Sequence, residues 1–107
     1  MSYSLGVYHK IFLIDKHYVS RKEMSMFINK ASDGKNNISG SNIFIYRKQL
    51  RISQRELADR LQLAGINVDK NAIQRIEAGK RFVTDIELIA LAQVLAVDIE
   101  DLLRQFW

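Results

Sequence analysis

The second half of the chain is divided at regular intervals by residues that begin and end α-helices. Ser53 and Thr84 are each followed three residues later by a glutamate, the capping-box pattern in which hydroxyl and carboxylate satisfy two free amide donors. Two aspartate N-caps and two glycine stops complete this punctuation: Asp69, Asp98, Gly65 and Gly79. No proline occurs anywhere in the chain. The pattern therefore predicts short helices with short connections, packed as an all-α bundle.

Apolar spacing places five helices among these signals. The first runs from about Ser41 to Arg51, the second opens at Ser53, and the third lies between Asp69 and Gly79. The fourth follows Thr84, and a last short helix follows Asp98. The residues predicted to face inward are, in order, Ile43, Tyr46, Leu50; Leu57, Ala58, Leu61; Ala72, Ile73, Ile76; and, in part or in full, Ile86, Leu88, Ile89, Leu91, Ala92, Leu95. The last helix carries Ile99, Leu102 and Leu103.

The first part of the chain follows a different pattern. Residues 32–41 are small, polar and glycine-bearing, which is typical of a loop or linker. Before them, Val7–Ile14 and Tyr18–Val19 are rich in β-branched and aromatic residues, so one or two short strands are an option. We therefore divide the chain into an N-terminal extension, residues 1–40, and a helical domain, residues 41–107. A frayed extension is the alternative for the first unit.

Composition excludes several classes of protein. The chain has no cysteine and two histidines, so a thiolate site or a histidine metal cluster is not expected. No nucleophile, base and acid are grouped in the sequence, and we expect no enzyme activity, no cofactor and no metal. The sequence shows neither a signal-peptide pattern nor an apolar run of about 18 residues, so we expect no membrane segment and a cytoplasmic location.

Basic side chains are concentrated in the middle of the chain, and its end is acidic. Residues 41–81 carry nine lysines and arginines against four acidic groups, whereas residues 82–107 carry one arginine against five. The formal net charge of the whole chain is +4. Such polarity would orient the domain towards an anionic partner. An ordinary solvated surface can carry similar numbers, so charge alone leaves both interpretations open.

The predicted third helix has a polar face without an acidic residue. At about 100° per residue, Ala72, Ile73 and Ile76 share one side of this helix. The opposite side presents four polar residues: Lys70, Asn71, Gln74 and Arg75. Arginine and lysine donate to guanine, and asparagine and glutamine pair with adenine, so these side chains match the edges of DNA bases. A merely solvated face is the competing interpretation.

Three segments together resemble a known family. They are SQRELA at residues 53–58, IQRIEAGKR at residues 73–81 and LAQVL at residues 91–95, with Val97 and Leu102-Leu103 following. In this spacing they resemble the Cro/cI-repressor-like helix-turn-helix family, in its xenobiotic-response-element branch. The resemblance covers about residues 41–104. It implies a five-helix, lambda-repressor-like DNA-binding domain whose second and third helices form the helix-turn-helix.

The resemblance also implies roles for individual residues. The polar face of the third helix becomes the set of base-contact candidates, Lys70, Asn71, Gln74 and Arg75. The phosphate-contact candidates lie at the start of the second helix and just past the third: Gln54, Arg55, Lys80 and Arg81. The start of a helix favours an anion because its first amide groups point outward, which agrees with the first two assignments.

Two further features concern the structure of the domain. In the family an arginine of the first helix commonly pairs with the glutamate of the RIE motif, which matches Arg47 and Glu77 here. Glu77 falls at the edge of the buried side, where an unpaired carboxylate would be unfavourable. The interval from Leu61 to Ile73 exceeds the family's commoner spacing. We expect a longer second helix and a larger turn, with the apolar residues of the turn packed inward: Leu63, Ile66 and Val68.

The leading hypothesis is a sequence-specific DNA-binding transcriptional regulator, a repressor that binds double-stranded DNA as a homodimer. One small domain offers few base contacts, and two-fold pairing doubles them over two half-sites. The aromatic residues of the extension and the terminal Phe106-Trp107 suggest surfaces that a second subunit would cover. The alternative hypothesis is an antitoxin-type interaction module whose residues 1–40 bind a partner protein.

Overall fold

The computed structural model describes residues 30–105, which contain five α-helices and no strand. The helices are α1 (Gly40–Gln49), α2 (Gln54–Leu63), α3 (Lys70–Glu77), α4 (Asp85–Leu95) and α5 (Ile99–Leu103). The predicted all-α fold of five short helices is confirmed. Predictions made for residues 1–29 and 106–107, including the strand-like runs and the terminal aromatic residues, lie outside the described range.

Both predicted capping boxes supply an N-cap side chain, but only one of them is complete. At α4, the hydroxyl of Thr84 accepts from the N–H of Glu87 at 3.1 Å, and the Glu87 carboxylate accepts from the N–H of Thr84 at 3.0 Å. At α2, the hydroxyl of Ser53 accepts from the N–H of Glu56 at 3.0 Å. The Glu56 carboxylate instead pairs with Arg60, one turn further on, at 2.9 Å. The reciprocal half of the Ser53 capping box was therefore wrongly predicted.

Four helices end in the same way. Just past each of α1 to α4, one residue has a positive φ, between 61° and 91°, and the next N–H donates to the carbonyl five residues earlier. These bonds measure 2.8–3.4 Å. The residues in the left-handed region are Arg51, Gly65, Gly79 and Ala96. The two glycine stops were predicted correctly, whereas Arg51 and Ala96 carry no glycine signal.

The core draws on every helix and on two connections. Its buried apolar residues are Ile43, Ile52, Leu57, Ala58, Leu61, Val68, Ile73, Ile76, Ala90, Leu91, Ala92, Leu95 and Leu102. Leu50, Ile86 and Ile89 were predicted to face inward but are 41%, 67% and 47% exposed. Leu50 lies past the end of α1. In α4 the inward stripe follows i, i+3, i+4, i+7 spacing from Leu88, which leaves Ile86 and Ile89 on the outer side.

A buried ion pair joins the first three helices. Arg47 of α1 donates to the carboxylate of Glu77 at the end of α3 through Nε at 2.7 Å and Nη2 at 3.0 Å. Its Nη1 donates to the carbonyl of Ile52 at 2.8 Å, and Gln54 of α2 donates to Glu77 at 2.9 Å. The side chains of Arg47 and Glu77 are only 7% and 5% exposed. Each of the three guanidinium nitrogens thus donates a hydrogen bond inside the domain.

The segment before α1 is a loop, as its composition predicts, but it packs closely onto the domain. Ser39 and Gly40 are buried. A Cβ atom at Gly40 would collide with the carbonyl oxygen of Ile76 near the end of α3, so glycine permits this close approach. The division of the chain at residue 40 stays a prediction.

Removing one member of the buried pair is expected to destabilise the fold strongly. In Arg47→Met or Glu77→Gln, the remaining charge or its hydrogen-bonding groups would be left without a partner, at a cost of about 3–5 kcal/mol. The double variant is expected to lose less than the sum of the two single losses. Urea denaturation of the wild type and the three variants measures this coupling. Strictly additive losses would contradict it.

Candidate nucleic-acid interface

Helix α3 is anchored at its start and on one side. The Asp69 carboxylate accepts from the N–H of Ala72 at 2.8 Å, which fixes the first turn. Ile73 and Ile76 are 0% and 1% exposed, so the apolar side of the helix is held in the core. Because one side is completely buried, the orientation of the opposite side is fixed with it.

That opposite side carries the base-contact candidates. Lys70, Asn71, Gln74 and Arg75 are all exposed and lie on the outer surface of α3. The acidic residue of the helix, Glu77, is turned inward to Arg47. The guanidinium of Arg75 reaches the carbonyl of Lys80 only through a long contact of 3.4 Å. The outer surface of α3 is therefore rich in hydrogen-bonding groups and carries no carboxylate.

A basic depression lies beside the start of α3. It has a volume of about 630 Å³ and extends from the end of α1 across the start of α2 to Lys70. The cationic residues along it, apart from the paired Arg47, are Lys48, Arg51, Arg55 and Lys70. Within the described residues, no carboxylate lines this depression.

The start of α2 opens into the basic depression with free donors. Ser53 caps the N–H of Glu56, and among the described residues the backbone N–H groups of Gln54 and Arg55 have no protein acceptor. The Gln54 side chain is held by its bond to Glu77, which uses one of its two amide hydrogens. The second amide hydrogen and the two backbone N–H groups suit an anion placed at this helix start.

The two basic residues after α3 differ in their surroundings. Lys80 is exposed, and its side chain has no ion-pair partner in the described part of the chain. Arg81 forms a bidentate pair with Glu87 of α4, at 2.9 and 3.0 Å. This bond raises the pKa of Arg81 and, together with the N–H of Thr84, lowers the pKa of Glu87. The pairing argues against Arg81 as a phosphate contact and favours a role in joining the turn to α4.

The long connection between α2 and α3 folds back on itself. Gln62 donates its side-chain amide to the carbonyl of Val68 at 2.7 Å, and Val68 is 3% exposed. Ile66 is partly buried against the core, as predicted. Leu63 was predicted to pack inward and is 89% exposed. It lies at the last position of α2, where the helix has turned this side chain away from the bundle.

A family model described as Helix-turn-helix, of the Cro/cI-like, xenobiotic-response-element type, matches residues 43–102, which is more than half of the chain. The chain belongs to this helix-turn-helix family. Neither the comparison with curated proteins nor that with solved structures gives a significant match. The protein is therefore a DNA-binding transcription regulator of this helix-turn-helix type.

Two basic residues of the helix-turn-helix domain were not singled out from the sequence. Lys48 and Arg51 reach the basic depression because α1 ends beside the start of α2. Arg51 occupies the left-handed position that ends α1, with φ of 61°. The one available signal was their place in the basic middle of the chain, and that signal does not separate them from other surface cations.

Between residues 30 and 105, no helix is both long and apolar enough to cross a membrane. In the same range, no three histidine, cysteine or carboxylate side chains come together as a metal site would require.

The Arg81–Glu87 pair predicts an acid-sensitive contribution to stability. Because the folded-state pKa of Glu87 lies below its ordinary value of 4.5, the contribution is complete above that value. It is lost as the pH falls through the lowered pKa. Glu87→Gln is expected to be less stable than the wild type at pH 7 and to lose less stability on acidification. Thermal melts from pH 7 to pH 3 test this, with Glu100→Gln as an exposed control; equal acid sensitivity of wild type and Glu87→Gln would contradict it.

Proposed function

We propose that this protein is a sequence-specific repressor that reads the major groove of double-stranded DNA with α3. The observation that carries the proposal is the division of α3 into two sides. Ile73 and Ile76 are buried, and the exposed side presents the four base-contact candidates without a carboxylate. A major groove admits one α-helix, and these residue types form bidentate pairs with guanine and adenine.

In this proposal, the contacts with the DNA backbone come from residues near the two ends of α3. Gln54 and Arg55 of α2 lie along the basic depression, which reaches the start of α3, and Lys80 follows α3 at its other end. Lys48 and Arg51 add two cations that extend the same depression. Contacts of this kind set the register of the helix on the duplex and the salt dependence of binding, whereas base contacts set the sequence preference.

The base-contact assignment predicts losses that depend on sequence. A selection from random duplex DNA at fixed salt identifies the preferred site. For a residue that contacts bases, Asn71→Ala, Gln74→Ala or Arg75→Ala is expected to weaken binding to that site by about 1–3 kcal/mol and to relax the preference at one position. Gln93→Ala, an exposed glutamine of α4, is the matched control. Equal losses on the selected site and on random DNA for all three variants would contradict the assignment.

The phosphate assignment predicts a different signature. Lys80→Ala and Arg55→Ala are each expected to weaken binding to every sequence and to make the slope of log K against log salt less steep by about 0.9. Arg60→Ala removes an equal charge from α2, but Arg60 is paired with Glu56 and does not line the basic depression, so its slope should change less. Binding titrations at four salt concentrations measure the slopes. An unchanged slope for Lys80→Ala would remove Lys80 from the interface.

We further propose that the repressor is a homodimer with two-fold symmetry. Two copies of α3 facing the same side of a duplex read half-sites about 34 Å apart. On the outer side of α4, Ile86 and Ile89 are 67% and 47% exposed, so the domain has apolar surface that a second copy would cover. This side of α4 is not part of the α3 surface, so both can be used at once.

Light scattering of the full chain, with and without its selected DNA, tests the dimer. We expect a mass of two chains at high micromolar concentration and two chains per complete site. Ile86→Glu is expected to weaken the dimer because it places a charge in an apolar contact, whereas Leu63→Glu replaces an 89% exposed apolar residue of α2 and controls for the added charge. A monomer that binds one half-site with unit stoichiometry would exclude the dimer.

A further inference from the structure

The end of α3 is held by the segment that precedes α1. The last carbonyl groups of a helix have no partners within the helix and need external donors. Here two neighbouring asparagines, Asn36 and Asn37, supply such donors to α3 and to the turn that follows it. The two groups of residues are 39 to 44 positions apart in the sequence.

Asn37 bridges the end of α3 and the turn. Its side-chain amide donates to the carbonyl of Ile76 at 3.0 Å and to the carbonyl of Arg81 at 2.8 Å. Its side-chain oxygen accepts from the N–H of Gly40 at 2.8 Å, which fixes the orientation of the amide. Asn37 therefore connects the first turn of α1 to both sides of the turn after α3.

Asn36 holds two successive backbone carbonyl groups, those of Gly79 and Lys80. Its N–H donates to the carbonyl of Gly79 at 2.8 Å, and its side-chain amide donates to the carbonyl of Lys80 at 3.1 Å. The N–H of Lys80 is held separately by the carbonyl of Arg75, at 2.8 Å. The backbone of Lys80 is thus held at its N–H and at its carbonyl.

Both partners of the hydrogen bond from Asn36 to Lys80 make a further contact. The side-chain oxygen of Asn36 accepts from the ammonium of Lys30 at 3.0 Å, which leaves the amide nitrogen for Lys80. The carbonyl of Lys80 is the group that the guanidinium of Arg75 approaches at 3.4 Å. Lys35 lies against Gly79 and closes the same side of the turn.

From these contacts we infer that Asn36 and Asn37 are positioning residues for DNA binding, which cap α3 from outside and set the place of Lys80. The inference rests on the proposed function, since it gives Lys80 a phosphate to contact. Asn36 acts through the Lys80 backbone and does not itself touch DNA. Removal of its side chain would leave the core intact and would let the Lys80 turn move relative to α3.

The decisive experiment is a double-mutant cycle on DNA affinity. Asn36→Ala is expected to weaken binding to the selected site and to make the salt slope less steep by up to about 0.9, the value of one phosphate contact. In a Lys80→Ala background the same change is expected to cost nothing further, because Asn36 acts through Lys80. Ser32→Ala, an exposed change in the same loop, is the control.

A merely structural role gives a different result in this cycle. If Asn36→Ala only lowered the folded fraction, it would reduce affinity by the same factor with and without Lys80. Additive losses of that kind, or wild-type affinity in Asn36→Ala, would overturn the inference. Asn37→Ala removes three hydrogen bonds of a partly buried amide and is the more disruptive variant, so the cycle is built on Asn36.

Hydrogen exchange of the free protein separates this inference from the proposed function. The Lys80 amide, which donates to Arg75, is expected to exchange faster in Asn36→Ala, while the amides of α4 keep their protection. Unchanged exchange at Lys80 would overturn the cap. Faster exchange at Lys80 in a protein that binds no duplex would leave the cap in place and remove the proposed function.

Discussion

The buried pair of Arg47 and Glu77 is the interaction on which the arrangement of the domain depends. A charge that is more than nine-tenths buried must be compensated by nearby groups, and here the compensation comes from three helices. Arg47 belongs to α1, Glu77 to α3, and the Gln54 that completes the cluster to α2. The three helices can therefore adopt only those relative positions that keep the cluster closed. The exposed face of α3 is fixed by the same requirement.

Helix limits were predictable where local chemistry decides them. An N-cap needs only a side chain and an amide three residues away, and a glycine stop needs only freedom at positive φ, so Thr84, Asp69 and Gly79 could be read directly. Arg51 and Ala96 end helices in the same conformation without glycine. Neither residue type favours a positive φ, so no signal in the sequence marks these two helix ends.

The burial of apolar residues was less predictable than the helices themselves. α4 is apolar on most of its surface, so spacing alone offers several inward stripes, and the bundle selects the one that begins at Leu88. α3, by contrast, has one narrow apolar side, so the sequence alone predicts which side of this helix faces outward. The partners of Arg81 and of the two asparagines were not predictable, because these contacts join distant segments. From the sequence alone, the two asparagines are explained by their place in a polar loop and Glu87 by its capping box. Nothing about them therefore indicates a contact with a distant segment.

Ion pairing also determines which charged side chains contribute to the basic and acidic surfaces of the domain. Arg47 and Arg81 are compensated by Glu77 and Glu87, so neither contributes fully to the basic surface despite its formal charge. Asp85 of α4, Glu100 of α5 and Asp98, the N-cap of α5, have no ion-pair partner among the described residues. The same holds for Asp59 of α2 and for Asp69, the N-cap of α3. At physiological salt a charge acts over about 8 Å, so only cations close to the duplex affect its orientation. The uncompensated cations nearest α3 are Arg75, Lys80 and those of the basic depression, and the uncompensated acids of α4 and α5 would repel phosphate. Both effects favour the approach that places the polar face of α3 against the duplex.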